Sequence, residues 1–169
     1  MRLADGLSAK SYRDHQQAMG RRIAKFRNLS RADRRVLMRA AIALVTARLA
    51  LRVMQLREAR RAVVRSQALA LVQWLPPPTE RIVWAVETAG RAIPGARNCL
   101  VQALAAEAIL LRAGHKCDLR IGVARDGACE FSAHAWLDNS GGDVLIGDFE
   151  LDRYRPLAAS GPARIRCAR

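Results

Sequence analysis

The sequence predicts an α+β protein in which amino-terminal helices pack on a small antiparallel sheet. Three observations predict it. Up to Gly114, apolar residues recur at helical spacing between caps and breakers; from Cys117 they alternate with polar residues; and turn-forming clusters at Asp126-Gly127 and Asn139 to Asp143 cut the second part into strands. With 169 residues, of which 51% are apolar, the chain can bury a real core, which excludes global disorder.

The helices follow in order. Ser30-Arg31-Ala32-Asp33 offers an N-cap and an early acid for a helix from about Arg34 to Leu56. Its middle, Ala40 to Ala47, is uncharged, but Arg39, Arg48 and Arg52 interrupt it well short of the roughly 18 apolar residues of a membrane span. A core or docking helix is the expectation. Glu58 to Leu75 continues as helix and stops before Pro76-Pro77-Pro78, because proline disfavours helix in the residue before it. That triplet divides a basic helical subdomain, 1–78, from a core, 79–157, followed by a tail, 158–169. Glu80 to Ala92 is a further helix, with Trp84 expected to pack, and Pro94 ends it. After the breaker-rich Pro94 to Arg97, Asn98 is a good N-cap for the apolar run Leu100 to Arg112, which stops at Gly114.

Charge is uneven. Residues 1–80 hold 17 Lys or Arg against 5 Asp or Glu, a net +12, and residues 81–169 hold 12 against 10, a net +2. The basic half could attract an acidic peptide, an acidic protein, nucleic acid or an anionic membrane, or be merely solvated. No zinc finger, aromatic RNA-binding motif or recognition helix accompanies it, so nucleic acid is not the expected partner. Met1 to Lys25 lacks an apolar signal-peptide core, which predicts a cytoplasmic protein.

The chemistry-bearing residues are Cys99, His134 and Asp148. Cys99 would occupy the first helical position after Asn98, where backbone N–H groups and the macrodipole favour negative charge and can serve a developing oxyanion. Phe131 to Leu137 and Val144 to Asp148 read as strands, and a hairpin centred on Gly141 sets His134 directly opposite Asp148, with Cβ atoms roughly 5 Å apart. In that position the carboxylate can fix the imidazole tautomer. A register slip of one residue would separate them, with Asp143 and Asp138 as the fallback carboxylates. In the preceding strand Cys117, Leu119, Ile121 and Val123 alternate with Asp118, Arg120, Gly122 and Ala124. If residues 125 and 128 close the Asp126-Gly127 turn, Leu119 faces His134 and Cys117 faces Trp136, so the apolar face would carry the site.

Taken alone, Cys99 would read as a buried structural cysteine, the reading given to Cys117, Cys129 and Cys167. Its place after a capping turn, with a histidine and a carboxylate on the hairpin, reverses that. A zinc site from His115, Cys117, Cys129 and His134 lacks any Cys-x-x-Cys or His-x-x-x-His spacing, so no metal and no cofactor is expected. His115 is expected to be exposed, and Trp136 to be core or a wall beside the imidazole.

Taken together, Pro94-Gly95, Asn98-Cys99-Leu100, Gln102 to Ala105, Leu110 to His115, Leu119 to Val123, Ala133-His134-Ala135-Trp136 and Arg153 to Leu157 carry a resemblance. Over roughly residues 80–157 the chain resembles the B2 leader peptidases of lasso-peptide biosynthesis, which have a transglutaminase-like, papain-related core. The resemblance implies a thiol protease that cuts a ribosomally made precursor between leader and core, with Cys99 as nucleophile, His134 as base and Asp148 as orienting acid. The loop before Gly147-Asp148 is about two residues longer than the family pattern, which keeps Asp143 as the alternative. The resemblance also implies a separate leader-recognition protein and an ATP-dependent lasso cyclase as partners. ATP should not be this chain's own cofactor, since it has no phosphate-binding Gly-rich loop. An amine acceptor in place of water, giving an acyltransferase, and a basic nucleic-acid-binding module are the rival readings.

Overall fold

The structure is a computed structural model, and it describes residues 29–68, 77–126, 130–147 and 150–157. Among these, four helices precede a four-stranded sheet: α1 (Arg31–Val53), α2 (Leu56–Ala68), α3 (Thr79–Ala92), α4 (Cys99–Arg112), β1 (Cys117–Asp126), β2 (Glu130–Asn139), β3 (Val144–Ile146) and β4 (Arg155–Pro156). A short 3-10 turn, Leu151–Arg153, leads into β4. All neighbours in the sheet run antiparallel, in the order β3-β2-β1-β4. The α+β class read from the sequence is the one observed.

The chain forms two compact units, Met1–Arg35 and Val36–Arg169. In the first, Ser30 caps the start of α1: its Oγ accepts from the Asp33 N–H at 3.0 Å and donates to Asp33 Oδ2 at 2.9 Å. In the second, α1 buries Val36, Leu37, Ala40, Ala43, Leu44, Ala47 and Ala50. The helix ends at Val53, three residues sooner than its apolar pattern predicts, and α2 begins at Leu56. The expected stretch of α2 from 69 to 75, with Pro76, lies outside the described residues.

Helix α4 is the centre of the core. Its residues from Val101 to Leu110 are buried except Gln102, and it packs against α2, α3, β1, β2 and β3. Apolar residues all round a helix leave it no solvent face, which is what a run of Ala, Leu and Ile without polar alternation dictates. Leu104, Ile109 and Leu110 are among its fully enclosed side chains, each worth about 1.5–3 kcal/mol of transfer free energy. The one charged residue inside is Glu107, which is fully buried; Arg60 of α2 reaches it with two hydrogen bonds, Nε to Oε2 at 2.8 Å and a second from the guanidinium to Oε1. Burial pushes the Glu107 carboxyl above its ordinary range, and the Arg60 guanidinium pulls it only part of the way back. At its far end α4 closes in a Schellman turn: Gly114 N–H donates to Leu111 O at 3.1 Å, His115 N–H donates to Leu110 O at 3.0 Å, and Gly114 takes the required positive φ of 85°.

The sheet corrects the predicted registers. In β1–β2, Gly122 lies opposite His134 and Arg120 opposite Trp136, where the sequence reading set Leu119 and Cys117. The ladder closes at Asp126 and Glu130, leaving three residues in the connection where a two-residue turn was expected. Because strand periodicity is two, this shift moves His134 to the face of Gly122 and Ala124 and away from the apolar row Cys117, Leu119 and Ile121. In β2–β3, Asp138 pairs with Val144 as predicted, but a bulge then pairs Leu137 with Ile146. The straight ladder expected to set His134 against Asp148 is therefore broken.

Candidate active site

Cys99 is the first residue of α4 and is half-exposed. The cap predicted from the sequence is present: Asn98 Oδ1 accepts from the Leu100 N–H at 2.9 Å and the Val101 N–H at 3.4 Å. The Gln102 N–H donates to Asn98 O at 3.0 Å. Of the first four amides of the helix, only that of Cys99 has no hydrogen-bond partner among the described residues. It sits next to the thiol, available to an anionic oxygen.

The loop before Cys99 is held from α1. Arg48 donates from its guanidinium to Pro94 O, and the guanidinium lies over Gly95, where an added Cβ would come within 2.8 Å of Arg48 Cζ. Gly95 also has a φ of 73°, so only glycine serves there.

His134 lies in the middle of β2, half-buried. Its Nε2 is 2.8 Å from Gly147 O. A carbonyl only accepts, so Nε2 carries the proton in the neutral ring and Nδ1 is left with its lone pair as a proton acceptor. Trp136 stacks beside the imidazole with ring centroids 6.2 Å apart and planes 18° apart, and Tyr154 tilts against it at 5.2 Å. Trp136 is buried, so it is both core and wall.

Two glycines make room for this grouping. A Cβ at Gly122 would fall 2.9 Å from both the Trp136 ring and the Tyr154 Cβ. One at Gly147, where φ is 85°, would fall 2.9 Å from Ala135 O and 3.0 Å from Trp136 Cβ. The Tyr154 contact was not read from the sequence as part of the site. Its signal was the segment Arg153 to Leu157: β4 pairs with Val123 and Gly122, and the Leu157 N–H donates to Ile121 O at 2.8 Å, which carries the preceding tyrosine onto the imidazole face.

The three predicted site residues fare differently. Cys99 and His134 stand on α4 and β2, which pack directly on one another, although among the described residues the thiol makes no hydrogen bond to the ring. Asp148 lies outside the described residues. The fallback carboxylates are engaged elsewhere: Asp143 is exposed in the turn, accepting at Oδ2 from Asn139 Nδ2 at 2.9 Å, and Asp138 accepts from Arg120 Nε at 3.1 Å. Neither reaches the imidazole.

The other described cysteine behaves oppositely. Cys117 is buried, and its thiol is pushed up to about 12, first by burial and then by the negative charges of Glu107 and Asp118. It stays protonated and inert, as a structural cysteine should. His115, expected to be exposed, is half-buried, with Nε2 unpartnered among the described residues.

No helix among the described residues is long and apolar enough to cross a membrane. Comparison with curated proteins and with solved structures finds no significant match. Residues 7–159, which take in all four helices, Cys99, His134 and Asp148, do match a family described as the transglutaminase-like superfamily. A thiol that opens a buried helix, laid on a sheet whose second strand carries the histidine, accords with that match: the chain belongs to the transglutaminase-like superfamily.

Proposed function

We propose that the protein is a cysteine peptidase that releases the leader from a lasso-peptide precursor. The observation that carries the reading is the His134 ring, whose Nε2 is committed to Gly147 O so that Nδ1 remains to take a thiol proton. The Cys99 sulfur attacks the carbonyl at the leader–core junction as His134 Nδ1 accepts the thiol proton. The oxyanion meets the Cys99 N–H. The C–N bond breaks, His134 returns the proton to the leaving amine, and the core remains outside the thioester. Water, deprotonated by His134, then attacks the thioester, freeing the leader as a carboxylic acid and restoring the thiol. Asp148, the residue after Gly147 in the chain, has the role of the triad acid in this scheme, its carboxylate stabilising the charged ring while Gly147 O holds the Nε2 proton.

A separate leader-recognition protein presents the precursor, and an ATP-dependent cyclase closes the ring on the released core. The reaction itself needs no cofactor on this chain, and its setting is the cytoplasm. The superfamily match equally fits passage of the acyl group to an amine, through the same thioester. Product masses separate the two: hydrolysis yields two free fragments and transfer yields a substituted leader.

The test is incubation of a lasso-peptide precursor and its leader-recognition protein with wild type and with Cys99→Ala. Wild type should give leader and core masses, and Cys99→Ala should lower the rate by about 10³-fold or more. Cleavage that survives Cys99→Ala overturns the proposal.

A further inference from the structure

Helix α1 buries one face in the protein's own core and shows solvent another that is also apolar. Met38, Ile42, Val45 and Leu49 are 43–55% exposed, although each is a large hydrophobic residue. They recur at alternating steps of four and three residues, and Arg52 follows three residues later at the same face. Such a row, about 16 Å long from Met38 to Leu49, is the seam by which one helix receives another, with side chains at a and d positions of a heptad. Val36, Leu37, Ala40, Ala43, Leu44, Ala47 and Ala50 are buried on the opposite side, so the row is not a core face turned outward.

Charge chooses the occupant. Arg52 is the exposed charge that continues the row, Arg39 being buried and Arg48 bonded to Pro94 O, and residues 36–54 contain no Asp or Glu, so a second copy of α1 would bring no carboxylate to meet it. Residues 1–28 of the same chain, with seven Lys or Arg and two Asp, repeat that sign. A lipid surface is favoured by a broad apolar face with aromatic anchors, whereas this seam is narrow and has none. We infer that the Met38–Ile42–Val45–Leu49 row docks an acidic amphipathic helix of a partner protein, whose apolar residues fill the seam and whose carboxylates meet Arg52 where it closes the row.

The docking does not depend on the chemistry at Cys99, so Cys99→Ala protein serves equally well as the test material. The probe is a labelled synthetic helix with leucine at a and d and glutamate at e and g; its counterpart has lysine at e and g. Both are titrated with the full chain and read by fluorescence anisotropy, alongside phosphatidylglycerol vesicles and sedimentation of the protein alone. Saturable binding of the glutamate peptide alone is expected, weakening with salt. Ile42→Glu should weaken it by about tenfold or more. Arg52→Glu, which leaves the apolar row intact, should weaken the glutamate peptide and strengthen the lysine one. Circular dichroism should show both variants folded, since both positions are exposed. No saturable binding, equal binding of both peptides, or indifference to Ile42→Glu overturns the inference. So does vesicle binding or self-association, abolished by Ile42→Glu, in place of peptide binding.

Discussion

Gly122 shows how much of this site rests on an atom that is missing. It is the cross-strand partner of His134, and the space a side chain would take holds the Trp136 ring and the Tyr154 Cβ. Gly122→Ala must push one ring aside, and the imidazole leans on both. The expected result is a folded protein whose kcat falls by about 10²-fold, the cost of a misplacement near 1 Å, with KM little changed. Precursor cleavage kinetics check it; an unchanged kcat would show that the rings do not position His134. At this scale the sequence was most legible where the cause is local. Asn98 is a cap because of what lies within three residues of it, and Cys99 follows directly. Tyr154 was opaque because its contact with His134 is made across the sheet, through a strand of two residues.

Elements were legible in type and less so in relation. Four helices and three strands fall where periodicity, caps and turn residues put them, whereas both strand registers needed correction. A three-residue connection at 127–129 in place of a two-residue turn at Asp126-Gly127, or one bulge in β2–β3, carries no compositional signature, yet each changes which side chains meet. The pairing of α2 with α4 was likewise hidden, because Arg60 and Glu107 are 47 residues apart in the chain. That pair makes a prediction for the elements it joins. Glu107→Ala leaves a guanidinium with little solvent and no partner there, and should destabilise the fold by about 3–5 kcal/mol in urea denaturation. Adding Arg60→Met to Glu107→Leu should restore most of the loss. The pH dependence follows from the sign of the shift. Glu107 holds its proton more tightly folded than unfolded, so its contribution is fully present below about 4.5 and diminishes as pH rises through the higher folded value. The stability difference between wild type and Glu107→Gln should therefore shrink on raising the pH from below that range; a difference that grows would reverse the assignment.

Across the whole molecule, 29 basic residues face 15 acidic ones, a net +14. Self-repulsion on that scale opposes compaction and is screened by salt. The midpoint of thermal unfolding should therefore rise with added sodium chloride, measured by differential scanning calorimetry; a flat response would mean that the charges lie too far apart to interact. The outer strands of the sheet, β3 and β4, are three and two residues long, so each of them offers only a short edge of its own to other chains.

Having no outward side, α4 grants evolution almost no latitude along its length. A larger or charged residue in place of Ala103, Ala105, Ala106 or Ala108 would have nowhere to go, as each of these is at most 1% exposed. Divergence among related chains must then be written into the periphery, while the rod that Cys99 opens tolerates little change.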